Sequence, residues 1–572
     1  MPVRSAQVPT PQKIVLKVGQ LDQALKRASF PREMEPVPPF QKGPSPIRLA
    51  HLQKWLKGYP DRASADYLLV GFSNGFRIPA QGPRIQFQSR NLKSLIGMEH
   101  IVRQKIGKEL KEGRILGPFA SPPTPQFRVS PLGIVPKKAQ GEYRLIHHLS
   151  HPKGSSVNDA IPEHQSTVHY TSFDAAVHMV RSRGYAAELA KCDIKSAFRL
   201  LPVNPADFEL LGFQFEGFYY CDRALPMGCS VSCAAFEKFS TFLEWALKVK
   251  AGVKGVVHYL DDFLFIGRAG RGECKVLLAS FIELTTELGV PLAVEKTEGP
   301  STVLTFLGIQ IDTVNQYSRL PPEKVTSLTQ RVTEFSLKKK ATLHEFQELI
   351  GHLNFTCKVI APGRAFLRRL CDAISGVNAP HHHIRLTHQI KADLATWQKF
   401  LVQFNGISFW RQDLMLKDAL QVASDASGSI GFGVYFDGHW CAQQWPDKWH
   451  ELGITADMTF LEFFPILVAV TIWVQNFQNC TVHFWCDNLA TVQVINNLTS
   501  RSPRVMEVVR QFTLHCLQYN ILFRAFHVMG IHNPLADALS RMQMERFRQL
   551  APDADVRPEV MPDHLWQVGV RK

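Results

Sequence analysis

Two adjacent carboxylates interrupt an apolar run that reads Val256-Val257-His258-Tyr259-Leu260-Asp261-Asp262-Phe263-Leu264-Phe265-Ile266-Gly267. β-Favouring residues flank the acids on both sides, a pattern that predicts a buried β-hairpin with Asp261 and Asp262 at its tight turn. Unpaired carboxylates between apolar strands are costly unless a cation compensates them. A divalent metal is the natural compensation, and metal-held phosphates are the natural chemistry. Taken alone, an Asp-Asp pair reads as a polar turn. The surrounding chain supplies the reasons to read it otherwise.

The 572 residues are enough for several domains, and 45% hydrophobic with 20% charged residues is an ordinary globular balance. A formal net charge of +15 favours a polyanionic partner such as nucleic acid. Eleven cysteines without a C-x-x-C pair read as reduced thiols of an intracellular protein, in cytoplasm or nucleus, and zinc-ligand spacing is absent. The longest apolar stretch, Phe463 to Val474, is too short to span a bilayer and contains Pro465, so no membrane association is expected. The first 30 residues lack a signal-peptide core.

Residues 1–45, rich in Pro and polar residues, are expected to be a disordered tail, and 46–115 an N-terminal extension of amphipathic stretches and turns. Residues 116–312 mix short apolar strands with helical patterns, an α+β reading. Residues 313–405 look helical, with Leu343, Phe346, Ile350 and Leu353 at helix spacing after Lys338-Lys339-Lys340. The lysine run suits a solvated end or a phosphate grip. Residues 406–418 read as a linker, 419–545 as a second α/β block, and 546–572 as a tail. His381-His382-His383 beside Pro380 reads as a loop.

A third carboxylate to accompany Asp261 and Asp262 is Asp193, in Leu189-Ala190-Lys191-Cys192-Asp193-Ile194-Lys195-Ser196-Ala197-Phe198. An isolated Asp at a strand end serves equally as an N-cap. With Tyr259-Leu260-Asp261-Asp262, however, it resembles the palm of reverse transcriptases, in which D-x-x-x-x-[FY] pairs with [YF]-x-D-D. The resemblance implies two Mg²⁺ (or Mn²⁺) ions about 3.5–4 Å apart, held by Asp193 and Asp261 with Asp262 supporting. It implies an aromatic gate against the 2′-hydroxyl at Phe198. Leu225-Pro226-Met227-Gly228 resembles the turn beside the incoming nucleotide, although retroviral enzymes often carry Gln where Met227 stands. Lys137 and Arg144 match fingers positions that hold triphosphate oxygens, and Lys296 matches a basic residue that donates a proton to pyrophosphate. Phe306-Leu307-Gly308-Ile309 resembles a primer-gripping hairpin.

The second block has four acids of its own. Asp425 ends one predicted strand, Glu462 starts an apolar helix with Pro465 in its first turn, Asp487 ends another strand, and Asp537 follows Asn533-Pro534 at a last helix. Each alone would be a cap or surface residue. Their order resembles ribonuclease H, and the ending from His527 to Arg541 is typical of retroelement polymerases. The resemblance implies two-metal hydrolysis of the RNA strand of an RNA–DNA hybrid, with metals on Asp425, Glu462, Asp487 and Asp537. It also implies an assisting histidine, for which His527 and His532 both qualify and the family ending favours His527.

Tyr143-Arg144-Leu145-Ile146-His147-His148-Leu149-Ser150 and Val157-Asn158-Asp159 resemble DIRS-like retrotransposons, the tyrosine-recombinase retroelements, more than gypsy elements or retroviruses. The expected architecture is a right-hand polymerase (fingers and palm 116–312, thumb and connection 313–405) followed by a ribonuclease H-like domain. The expected partners are an RNA template, a DNA primer, RNA–DNA hybrid and deoxynucleoside triphosphates, with room for separately encoded element proteins, a recombinase or a capsid-like protein. The rival readings are a non-catalytic nucleic-acid-binding relic or host-adopted copy, and ribonuclease H activity alone.

Overall fold

In the computed structural model, which describes residues 40–137, 141–408 and 419–570, the apolar runs become strands of several sheets flanked by helices, a mixed α+β fold. The chain forms two units that exchange segments. One takes the described residues up to His169 together with Ser196–Phe242 and Thr285–Pro291. The other takes Tyr170–Lys195, Leu243–Leu284 and the described residues from Leu292 onward.

The first unit holds a five-stranded sheet in the order Phe87–Gln88, Arg128–Val129, Gly212–Phe215, Phe218–Asp222, Ile115–Phe119. A separate hairpin pairs Leu132–Pro136 with Tyr143–His147. Val102 and Ile106 of the helix Glu99–Lys111 close over Leu132, Ile134, Phe213 and Phe215 as its apolar core. The extension is structured: Asp61 caps the helix Arg62–Asn74 through the Ser64 N–H at 3.0 Å, and Phe72 meets Phe76 and Phe239 edge-on. Residues 1–39 of the expected tail lie outside the described residues. Gln41 and Lys42, within that tail, are held by the Arg223 guanidinium, which donates to their carbonyls at 3.0 and 2.8 Å.

The second unit begins with a sheet of β1 (Glu188–Asp193), β2 (Val256–Tyr259), β3 (Asp262–Gly267) and β4 (Glu298–Ser301), ordered β4-β1-β3-β2. Helices α1 (Pro322–Leu337), α2 (Leu343–Thr356) and α3 (His388–Gln403) follow. A capping box between Thr342 and Glu345 starts α2, and Lys338 pairs with Glu345, so the lysine run is partly consumed by the helix end. Among the described residues no group of three ligand-type side chains forms around His381–His383. The expected linker is shorter than 406–418 in its described part, since Ile407–Ser408 pairs as a strand with Tyr317–Arg319; residues 409–418 lie outside the described residues.

A second sheet then forms from β5 (Leu420–Ala426), β6 (Gly431–Phe436), β7 (His439–Gln444), β8 (Thr481–Cys486) and β9 (Leu522–His527), ordered β7-β6-β5-β8-β9. The β5–β8 and β8–β9 pairs are parallel and the other two antiparallel. Helices α4 (Met458–Ile472) and α5 (Pro503–Gln518) pack on one face, and α6 (Pro534–Ser540) on the other. One apolar cluster joins Leu189 and Ile266, Phe346 and Trp397, and Phe432, Phe464 and Phe484.

Two expectations are corrected. Glu462 does not start its helix: Asp457 accepts from the Phe460 N–H at 3.2 Å, so α4 begins at Met458 and Pro465 lies inside it. The tail after 546 is part of the fold. Trp566 lies edge-on to Trp449 at 5.2 Å and stacks on Phe464 at 5.4 Å, and its carbonyl accepts from the Trp449 indole N–H. All eleven cysteines are unpaired, and no described helix is long and apolar enough to cross a membrane.

Candidate active sites

The hairpin of β2 and β3 is closed by Leu260 and Asp261, with Tyr259 opposite Asp262. Leu260 adopts φ +52°, the left-handed conformation that two-residue hairpin turns require. This turn holds Asp261 at the sheet end, where its carbonyl accepts from the Ile194 N–H at 3.0 Å. On the other side of β3, Asp262 lies directly opposite Asp193 of β1. The three predicted acids therefore converge on one sheet end, drawn from two neighbouring strands.

Burial, then the charges of Asp261 and Asp193, push the Asp262 carboxyl up to about 6. Lys296 donates to Asp193 Oδ2 at 2.8 Å and is itself raised by that bond. One lysine beside three acids leaves negative charge uncompensated, and an all-carboxylate donor set at one strand end fits a hard divalent cation. Beneath the hairpin, His258 Nδ1 pairs with Glu244, and the His258 ring stacks on Phe263.

The remaining predicted polymerase residues lie in the first unit. Phe198, in the short helical turn Ala197–Leu200, meets Phe236 edge-on at 5.8 Å. Met227 is exposed and Gly228 adopts φ +114°. A Cβ on Gly228 would lie 2.2 Å from the His147 carbonyl, so only glycine fits. Asn158 fixes the same turn, donating to the Gly228 carbonyl at 2.8 Å and accepting from the Ser230 N–H at 2.9 Å. Lys137 pairs with Glu142 at 2.9 Å, and Arg144 projects exposed from the hairpin strand opposite Val135.

The second set of acids gathers where β5 and β8 end. Asp425 lies on β5, Asp487 directly follows β8, and α4 brings in Glu462. Glu462 is pushed up to about 9 by burial, then by the charges of Asp425 and Asp487. Asp425 is pushed up to about 6 by burial, with the Ser540 hydroxyl, which donates to it, opposing the shift. Asp487 is also raised, by burial first. Burial acts on Asp537 too, but Arg541 and Arg546, donating at 2.7 and 2.6 Å, outweigh it and hold its carboxyl low. His527 Nε2 lies 3.1 Å from the Asp487 carbonyl, whereas His532 sits exposed in the turn Gly530–His532. The buried Asp425 and Glu462 and the half-buried Asp487 form a donor set whose mutual repulsion a divalent cation would relieve.

Cys486 and Arg546 carry no motif of their own, and Asn533 belongs to the family ending without a role read from it. Cys486, whose thiol burial pushes well above its ordinary range, donates to Glu462 at 3.7 Å. Asn533 donates to the Ser424 carbonyl at 2.9 Å and ties the start of α6 to β5. Arg546 lies beyond the family ending and is close only because the chain turns back after α6.

Residues 135–311 match the model of the reverse transcriptase (RNA-dependent DNA polymerase) family, so the chain carries a reverse transcriptase domain. That span contains Asp193, Asp261, Asp262 and Lys296 and ends before the second sheet. The chain is 26% identical over 275 residues to the Gag-Pro-Pol polyprotein of Human T-cell leukemia virus 3 (strain 2026ND), covering 46% of this chain and 17% of that one. It is 28% identical over 186 residues to Protein P of Duck hepatitis B virus (strain Germany/DHBV-3), covering 32% and 23%. The chain thus spans less than a quarter of the length of these curated relatives. Among solved structures, a foamy viral protease-reverse transcriptase in complex with RNA/DNA hybrid is similar at 15% identity, with 92% of this chain and 66% of that one covered and a TM-score of 0.47.

Proposed function

We propose that this chain is an RNA-directed DNA polymerase of a DIRS-like retrotransposon that also hydrolyses the RNA strand of RNA–DNA hybrids. The observation that carries the polymerase reading is the register of Asp262 against Asp193, with Asp261 at the adjoining turn, inside the span that matches the reverse transcriptase family. Asp193, Asp261 and Asp262 would hold divalent ions at one site, and Asp425, Glu462, Asp487 and Asp537 at the other. Two Mg²⁺ (or Mn²⁺) ions per site would activate the attacking oxygen and stabilise charge on the departing one.

The chain's own residues do the rest. Lys296, bound to Asp193, would donate a proton to pyrophosphate. Phe198 excludes the 2′-hydroxyl, while Lys137 and Arg144 bind triphosphate oxygens. The turn at Met227 and Gly228, braced by Asn158, would offer backbone to the incoming nucleotide. His527, beside Asp487, assists proton transfer or product release in the nuclease. The pairing has a chemical logic: copying RNA leaves a hybrid, and its RNA strand must go before the second DNA strand is made.

The test is primer extension on poly(rA)–oligo(dT) with Mg²⁺, wild type against Asp261→Asn. Extension by the wild type alone supports the polymerase site. A folded, hybrid-binding wild type that extends nothing overturns it, and cleavage of labelled RNA in the same hybrid then separates a nuclease from a non-catalytic relic.

A further inference from the structure

Side chains alternate across a strand, so the face of the second sheet that bears Asp425 also bears Ala423 and Gln421. In register with them stand His483 and Trp485 of β8, then Arg524 and Phe526 of β9. Helix α6 covers the β5–β7 part of this face, where Gly433 of β6 lets Leu539 and Ser540 approach. The β8–β9 part carries rings instead. Trp485 and Phe526 stack at 5.1 Å and 27°, and His483 meets Phe526 at 4.8 Å. The Arg524 guanidinium lies 5.6 Å over Phe526, and the Trp485 indole N–H donates to Gln421 Oε1 at 2.7 Å. Trp485 and Phe526 are half-buried, while Gln421 and Arg524 are exposed.

We propose that these five residues form a platform for single-stranded RNA continuous with the strand at Asp425 and Asp487; the proposal rests on the nuclease reading above. Ring faces stack bases only where those bases are unpaired, because a duplex keeps its own base faces covered. Trp485 and Asp487 are two residues apart, about 6.6 Å along an extended strand and on the same face, so a base stacked on the ring lies near the acids. The spacing suits bases that leave the hybrid beside the acids. Arg524 supplies the charge for the phosphates between those bases, and its stacking on Phe526 holds it ready at small entropic cost. The partners of Trp485 and Arg524 fix the platform before RNA arrives.

The experiment measures binding of the full chain to a blunt RNA–DNA hybrid and to the same hybrid with a short single-stranded extension of its RNA strand. Fluorescence anisotropy without divalent ions keeps cleavage out of the reading. The wild type should bind the extended hybrid about tenfold tighter, near the low end for one stacked base. Trp485→Leu and the exposed change Arg524→Glu should each bring that ratio close to one, with circular dichroism confirming the fold. A wild-type ratio near one, a ratio kept by both folded variants, or an equal gain from extending the DNA strand alone overturns the platform. Failure of the nuclease reading is seen separately, as uncleaved blunt hybrid when wild type is given Mg²⁺.

Discussion

Lys296 pairs with Asp193, and Arg541 with Arg546 holds Asp537, so each cluster has fewer cations at hand than acids. Asp262 near 6 and Glu462 near 9 record that imbalance, since burial and like charge both penalise the ionised form. Removing one carboxylate should therefore disable only the site to which it belongs. Asp261→Asn is expected to lower extension by about a hundred- to a thousandfold, in line with losing a preorganised electrostatic group, while hybrid cleavage persists. Asp487→Asn should do the reverse. Loss of both activities from either change would sink the two-site assignment. Phe198→Ala should raise ribonucleotide incorporation, measured as alkali-labile product, and unchanged sugar selectivity would remove Phe198 as the gate.

At the scale of elements, close packing decides where the acids stand. A Cβ at Gly433 would lie 2.3 Å from Leu539 Cβ, 2.7 Å from the Ser540 nitrogen and 2.8 Å from the Ala536 carbonyl. Gly433→Val should push α6 off β6, separating Asp537 and Ser540 from Asp425, at a cost of about 1–3 kcal/mol for overpacking. Hybrid cleavage should fall while primer extension continues, and equal retention of both would show that α6 tolerates the shift. The β-hairpin of Asp261 and Asp262 was legible from the apolar, β-favouring runs that flank the acids, and Asp193 from its motif spacing to Phe198. The start of α4 was not, because the pull of Pro465 toward a first turn hid the cap at Asp457.

Across the whole molecule, the pH dependence has a definite sign. Asp262, Asp425 and Glu462 bind protons more tightly folded than unfolded. Without divalent ions, their contribution favours the fold at low pH and is lost as pH rises through about 6 and then toward about 9. Mg²⁺ should then raise Tm more at pH 8 than at pH 5, read by thermal unfolding with Mg²⁺ or EDTA; an equal increment at both would contradict the metal assignment. A second contact concerns integrity. Asp393 of α3 is buried between Arg369 at 2.8 Å and Arg510 of α5 at 3.5 Å, joining the helical segment to the second sheet's helices. Asp393→Ala removes the carboxylate that the two arginines share and should cost about 3 kcal/mol in urea unfolding. A change under 1 kcal/mol would show that this pairing does not hold the helices together.

Read by itself, the chain placed acids at the ends of predicted strands and in an apolar helix, because apolar runs, tight-turn composition and acid order are local properties of consecutive residues; it did not reveal the paired strands Lys340–Thr342 and His383–Arg385 inside the stretch that looked helical. It also determined, through its motifs, the reverse transcriptase resemblance that the family match over 135–311 bears out. Tertiary structure alone decided the rest. The facing of Asp193 and Asp262 needs a strand register set by partners about 70 residues apart. Asn158 under the Gly228 turn, Cys486 and Ser540 on the acids, Arg546 on Asp537 and Trp566 in the core are neighbours only after folding. Long-range contacts carry no local periodicity, and only packing specifies which side chain meets which.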